Sequence, residues 1–326
     1  MSYEFRRKVR KRAYEIEEES EQPEAEERAP KLTLYDLFRT VAPSDVVAVF
    51  GRTGSGKTTL AYILSEDAVN KGIDVFYLDT EGNVHWRLDE RVNYYRIKSL
   101  EELRSKLYEI KYGAERGEYG KNGLLLIVDS IEAPVLRSMG RSMASRTSAM
   151  VERVHIIDYI KAMCERLSVI ERGEVVRPVN ALIVKHMRTE IGLTRILERA
   201  LTEEAETEER AEEGRPRKVR RIITPEEVPL EVRLAYINPT GGRDLYLLKE
   251  IWVCDIAKTV NKPDGYRLTQ CNFYAWRSRC FGKLENIFNI SIETVPEAGK
   301  KTVVISYEIL SYPAPLMEVK PRIVAK

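Results

Sequence analysis

Val46-Val47-Ala48-Val49-Phe50-Gly51-Arg52-Thr53-Gly54-Ser55-Gly56-Lys57-Thr58-Thr59-Leu60 is the stretch whose reading decides the fold of this chain. It opens on a short valine-rich apolar run, the signature of a buried strand. Gly51 to Thr58 then match G-x-x-x-x-G-K-[ST] in full, and Lys57 to Lys71 carry helical spacing. A glycine-rich turn between a strand and a helix start is built to hold phosphate. Glycines let backbone N–H groups curl around the phosphate oxygens, and the helix N-terminus adds partial positive charge. Gly51, Arg52, Thr53, Gly54, Ser55, Gly56, Lys57, Thr58 and Thr59 are therefore the expected nucleotide-binding residues. In this pattern the lysine, Lys57, reaches the β- and γ-phosphates, and the Thr58 hydroxyl ligates Mg²⁺.

Outward from this stretch, strand-like and helix-like segments alternate. Asp74 to Leu78 reads as a strand, Leu100 to Tyr112 as a helix, and Leu124 to Val128 as a fully apolar strand. Met150, Val154, Ile157, Ile160, Cys164 and Leu167 fall at steps of three and four, which predicts a helix over 150–170. Ala181 to Val184 is another buried strand. Continuous apolar runs alternating with helices indicate an α/β fold, a mainly parallel twisted sheet with helices on both faces. Near the end, Glu250 to Val260 and Tyr266 to Trp276 read as strands around Asn261-Lys262-Pro263-Asp264-Gly265, a turn sequence of hairpin type. With Thr302 to Leu310 as a further strand, the sheet is expected to continue into antiparallel strands.

Two carboxylates fall where such a sheet places chemistry. Asp129 follows Leu124-Leu125-Leu126-Ile127-Val128, at the carboxyl end of a buried strand, where it can hold Mg²⁺ directly or through water. Its plain alternative is a helix cap ahead of Ser130. Glu81, in Leu78-Asp79-Thr80-Glu81-Gly82, ends the preceding strand and can orient and deprotonate an attacking water. The alternative there is a turn carboxylate.

On these residues the chain resembles RecA-superfamily ATPases, closest to RadA-like recombinase paralogues and RecA-like single-strand annealing proteins. The matching pieces are Gly51 to Thr59, Asp79 to Gly82, Asp89-Glu90-Arg91-Val92, Val128-Asp129-Ser130, the strand Ala181–Val184 and Gly241-Gly242, within residues 31 to 290. The resemblance implies a RecA-like core that hydrolyses ATP with Mg²⁺, Glu81 standing at the catalytic-glutamate position. It also implies a γ-phosphate sensor after Ala181–Val184. Recombinases usually carry Asn-Gln there, whereas this chain has Lys185-His186, so His186 is the sensor candidate, or else a histidine hydrogen-bonded at a strand end. No helix-hairpin-helix domain precedes the core, and no Phe-x-x-Ala polymerisation motif lies near residue 38. A self-sufficient strand-exchange filament is therefore not expected.

The charged segments complete the expected organisation. Residues 1–30 form a charged tail, 31–315 the ATPase domain, and 316–326 a C-terminal tail. An insertion at about 188–225 carries an acidic block, Glu203 to Glu213, before a basic one. In RecA-like proteins the loop after the sensor strand faces single-stranded DNA. Arg188, Arg195, Arg215, Arg217, Lys218, Arg220 and Arg221 are the DNA-contact candidates, because cations on a loop suit phosphates without sequence choice. The alternative is a solvated, self-paired charge run. The resemblance further implies an oligomer, of like or related RecA-like chains, in which a neighbour supplies a cation to the γ-phosphate. Lys258, Arg277 and Arg279 are candidates, unless they form surface ion pairs. Tyr274 and Trp276 are either base-stacking platforms or core aromatics.

Composition sets the outer limits. With 53 Lys+Arg against 51 Asp+Glu the net charge is +2, which argues against a uniformly basic nucleic-acid coat. The longest apolar runs are far short of the roughly 18 residues that span a bilayer, and Met1 is followed by charge. No membrane association and a cytoplasmic location are expected. Four scattered cysteines and three histidines offer no zinc spacing, so the cysteines read as core residues. The expected function is ATP hydrolysis coupled to DNA, single-stranded by this reading, in recombination or repair. The alternatives are a KaiC-like regulatory ATPase that switches protein contacts without DNA, and an ATP-driven translocation motor.

Overall fold

A computed structural model describes residues 32–186 and 244–313, apart from 83, 85–87, 141 and 298–299. The charged tail, the insertion with its DNA-contact candidates, and Gly241-Gly242 lie outside the described residues.

Among the described residues the core is one sheet of nine strands. The strands are β1 (Val46–Gly51), β2 (Asp74–Asp79), β3 (Asn93–Arg96), β4 (Leu124–Asp129), β7 (Val179–His186), β8 (Glu250–Asn261), β9 (Arg267–Arg277), β10 (Asn286–Glu297) and β11 (Lys300–Ile309). Between β4 and β7 in sequence, β5 (Val169–Glu171) and β6 (Glu174–Arg177) form a separate hairpin. The order across the large sheet is β11-β10-β9-β8-β1-β7-β4-β2-β3. From β3 to β8 neighbouring strands run parallel, and β9, β10 and β11 continue antiparallel. The α/β reading with a C-terminal antiparallel extension is thus what the chain forms.

β1 and β4 are buried along their whole length, as strands covered on both faces must be. Their side chains alternate between two cores. Val47, Val49, Leu125 and Ile127 join the core under α1 (Leu34–Val41) and α2 (Lys57–Asn70). Val46, Ala48, Phe50, Leu124, Leu126 and Val128 join the core under α3 (Leu100–Glu115), α4 (Glu132–Ser138) and α5 (Met143–Leu167). α1 begins on a capping box, in which the Thr33 hydroxyl accepts from the Asp36 amide and the Asp36 carboxylate accepts from the Thr33 amide. A last short helix, α6 (Asp244–Leu247), precedes β8.

The helix expected over 150–170 starts earlier and stops sooner. Its first residues, after the Ser142 cap, are exposed and carry no apolar stripe. Its end is cut by the β5–β6 hairpin, whose turn has Arg172 and Gly173 at φ 53° and 86°. The hairpin expected at 261–265 is present: Gly265 sits at φ 87° and its amide donates to the Lys262 carbonyl at 3.1 Å.

Parallel strands deliver their carboxyl ends to one rim, where open α/β sheets place their ligands. Gly51 is level with His186 on one side and Cys254 on the other, and Asp79 is level with Asp129.

Candidate functional site

The turn after β1 is shaped by its glycines. A Cβ on Gly51 would lie 2.4 Å from Cys254 Sγ and 2.6 Å from the Cys254 carbonyl, so no larger residue fits against β8. Gly54 and Gly56 adopt φ of 79° and 88°, which side-chain-bearing residues rarely tolerate. Ser55 and Cys254 lie 2.9 Å apart through Oγ and Sγ. Burial pushes the Cys254 thiol up to about 11 and the Cys271 thiol up to about 12, which makes both packing residues and not nucleophiles. The Lys57 side chain folds back under the loop. Its Nζ donates to the carbonyls of Gly51 at 2.8 Å and Arg52 at 2.7 Å, and the residue is only 4% exposed.

Asp129 stands at the end of β4, 2% exposed. Tyr77 donates to its Oδ2 at 2.8 Å, and Thr58 hydrogen-bonds the same carboxylate. Among the described residues Oδ1 has no hydrogen-bond partner. Burial raises the Asp129 carboxyl above the usual carboxylate range; the hydrogen bonds of Tyr77 and Thr58 oppose this, and the charges of Glu81 and Asp79 add to it. A buried carboxylate with one oxygen unsatisfied, beside a threonine hydroxyl at the phosphate turn, is a donor set that fits Mg²⁺ on a bound nucleotide.

Glu81 follows β2. Its Oε1 accepts from the Ser130 hydroxyl at 2.9 Å. The two chain segments are locked together: the Thr80 hydroxyl donates to the Ser130 carbonyl at 2.7 Å, and the Ser130 amide donates back to Thr80 Oγ1 at 2.9 Å. Asp79 is fully engaged by Tyr94, Arg96 and the amides of Glu81 and Gly82. It therefore shapes the turn that carries Glu81. The sequence reading missed Ser130, although it sits beside Asp129.

The remaining candidates are scattered. His186 ends β7 level with Gly51, which puts its backbone on the rim. Lys258 is exposed on β8, four residues beyond the position level with Gly51. Arg277 and Arg279 lie toward the opposite rim, where β1 and β8 begin. Arg277 pairs with Ile251 in register and donates to the Leu248 carbonyl at 3.1 Å. Arg279 is held by Asp45 at 3.1 Å and Glu250 at 3.6 Å. Tyr274 is buried, a packed strand aromatic, while Trp276 is half-buried under Lys283. Cys164, Cys254 and Cys271 are buried and Cys280 partly so, all unpaired, in line with core use.

Asp129→Asn gives a directional test of the metal-side carboxylate. A carboxyl whose pKa is raised on folding favours the fold at acid pH and opposes it once ionised, above that raised value. The asparagine variant is therefore expected to melt higher than the parent at pH 7 without nucleotide, the gap closing as pH falls toward the ordinary carboxylate range. It should also lose the increment in melting temperature that Mg²⁺ and ATP together give the parent. Thermal denaturation over a pH series checks both; an increment of parental size would remove Asp129 from the metal site.

Residues 44–223, more than half of the chain, match the family model described as the central domain of helicase HerA. No curated protein matches the chain. No described helix is long and apolar enough to cross a membrane.

Proposed function

Taking as premise that the chain belongs to the HerA helicase central-domain family, a family of P-loop ATPases, we propose that it is an oligomeric, Mg²⁺-dependent ATPase that acts on DNA as a motor. The observation that carries the reading is the convergence of Lys57, Thr58, Asp129 and Glu81 on one rim of the sheet. In this reading the backbone amides of Gly51 to Thr59 cradle the phosphates, and Lys57 leaves its two loop carbonyls to meet the β- and γ-oxygens. Thr58 and Asp129 would hold Mg²⁺, which would supply charge neutralisation to the transferred phosphoryl group. Glu81, turned toward the rim by Ser130, takes the proton of the attacking water. His186 senses the γ-phosphate from the end of β7. Lys258 is the best placed of the three cations for a neighbour's site, since Arg279 is already committed to two carboxylates of its own chain.

The family match favours a motor over the other readings, because the matching model is that of a helicase domain. A role in recombination or repair is the finer form of the same proposal, and the charged segment after β7 in sequence is its expected DNA contact. ATP turnover with and without single-stranded and duplex DNA separates the readings. Stimulation supports action on DNA, and unwinding of a tailed duplex supports a motor. Indifference to both DNAs would favour a regulatory ATPase that switches protein contacts.

The basic cluster provides a second test. Neutralising Arg215, Arg217, Lys218, Arg220 and Arg221 together should weaken DNA binding whatever the sequence, and flatten the salt slope by about 0.7 for each lost contact on single strands. Deleting Glu203 to Glu213 should tighten binding, most at low salt where screening is weak. Anisotropy over a salt series checks this. Coincident curves for parent and variants would make the segment a solvated linker.

A further inference from the structure

One buried charge pair lies beside the site and has no part in the chemistry described above. Lys185, on β7 between Val184 and His186, has a side chain only 2% exposed. Its Nζ lies 3.8 Å from Glu132 Oε1, whose side chain is 11% exposed, and 4.9 Å from the centre of the Phe50 ring. Phe50 belongs, with Val128, Ile131, Val135 and Ile183, to the apolar core on this face of the sheet. Lys185 directly follows the wholly apolar run from Ala181 to Val184. Buried ion pairs seldom stabilise a fold more than well-packed apolar residues of similar volume. Some other property of the pair must favour it.

The connections around Glu132 indicate which property. Ser130, Ile131 and Glu132 are consecutive, and they join two parts of the sheet: the first is tied to the turn after β2, the other two to β7. Ser130 is interlocked with Thr80 after β2 and donates to Glu81 at 2.9 Å. The Ile131 amide donates to the Val184 carbonyl on β7 at 3.1 Å. Glu132 opens α4 and reaches Lys185 on β7. The tripeptide is thus a bridge. One end holds the carboxylate read as the general base, and the other is anchored to the last residues of β7, next to His186. A buried charge pair selects its partner at that end, as apolar contacts would not.

We propose that Lys185 and Glu132 form a positioning pair that sets, through Ile131 and Ser130, the place of the Glu81 carboxylate, so that the end of β7 and the hydrolytic water are mechanically linked. The inference rests on the reading of Glu81 given above. Neither Lys185 nor Glu132 touches nucleotide in this scheme; both act through Ser130.

The decisive variant replaces the pair by apolar residues, Lys185→Met with Glu132→Leu. This removes both charges at once and leaves no buried charge without a partner, so the fold should be retained with a melting temperature equal to or above the parent's. ATP affinity is expected to stay within about twofold, because the phosphate turn is untouched. Turnover should fall about 10²-fold, the usual cost of a misplacement near 1 Å at a reacting group. The charge swap Lys185→Glu with Glu132→Lys should recover at least part of that loss. Lys185→Gln with Glu132→Gln, which also removes both charges together, gives the same comparison if the apolar pair fails to fold. Parental turnover in a folded variant would overturn the inference and leave the pair as packing only. So would a loss of affinity equal to the loss of turnover, which marks general damage to the site. Glu81→Gln measured alongside keeps the two failures apart: if it turns over normally, the reading of Glu81 fails, whatever the pair does.

Discussion

Replacing Lys57 by alanine is expected to abolish productive nucleotide binding, with turnover lost by at least the roughly 10²–10³-fold typical of removing one preorganised partner of developing charge. The larger effect is expected here because the side chain serves two states. Without ligand its ammonium satisfies the carbonyls of Gly51 and Arg52. With nucleotide present the same ammonium would move to the phosphates, and no other cation among the described residues of the turn lies buried beneath it. Alanine leaves both carbonyls without this donor, but Arg52 is half-buried and Thr53 and Gly54 are exposed, so water can replace it. The variant should fold, with a near-parental circular dichroism spectrum, and show no binding of a fluorescent ATP analogue. Normal turnover in that folded protein would overturn the assignment of the site.

Glu81→Gln should separate binding from chemistry. The glutamine carbonyl can still accept from Ser130, so the hydrogen bond that places the side chain survives. What is lost is the capacity to take a proton, and general-base catalysis contributes about 10²–10⁴-fold. The expected result is a fall in kcat of that size with ATP affinity little changed. Isothermal titration beside a phosphate-release assay checks it. A collapse of affinity with normal hydrolysis per bound ATP would make Glu81 a structural carboxylate of the turn after β2.

Glu81 also illustrates where the sequence was readable and where it was not. Asp79-Thr80-Glu81-Gly82 marks the end of a strand one step after the phosphate turn, and that position alone suggested its part. Ser130 was passed over because a serine after Asp129 has no chemical signature until the Thr80–Ser130 interlock brings it against Glu81. β3 was missed for another reason. Asn93-Tyr94-Tyr95-Arg96 is a half-buried edge strand with no apolar run, and Tyr94 and Arg96 face Asp79. The pair of Lys185 and Glu132 shows the same limit: the partners are far apart in sequence and meet only because β7 lies beside β4.

By itself the sequence determined the local frame of this protein: a valine-rich strand, a glycine turn with Lys57 and Thr58, the helix after it, and apolar strands ending at Asp79 and Asp129. These features depend on backbone freedom, periodicity and residues close along the chain, so they can be read in one dimension. The order of strands was decided only in the tertiary structure, because it depends on which apolar faces bury each other best. That order puts β8 beside β1, with Cys254 closing the space under Gly51. The antiparallel pairing of β9 with β8 sends Arg277 and Arg279 to the rim away from the phosphate turn, while Lys258 lies beyond β1 on the side of that turn. Burial then set the rest: Asp129 became a desolvated carboxylate with an unsatisfied oxygen, and Lys185 a charge that must find Glu132, consequences of a low-dielectric interior that no spacing of letters contains.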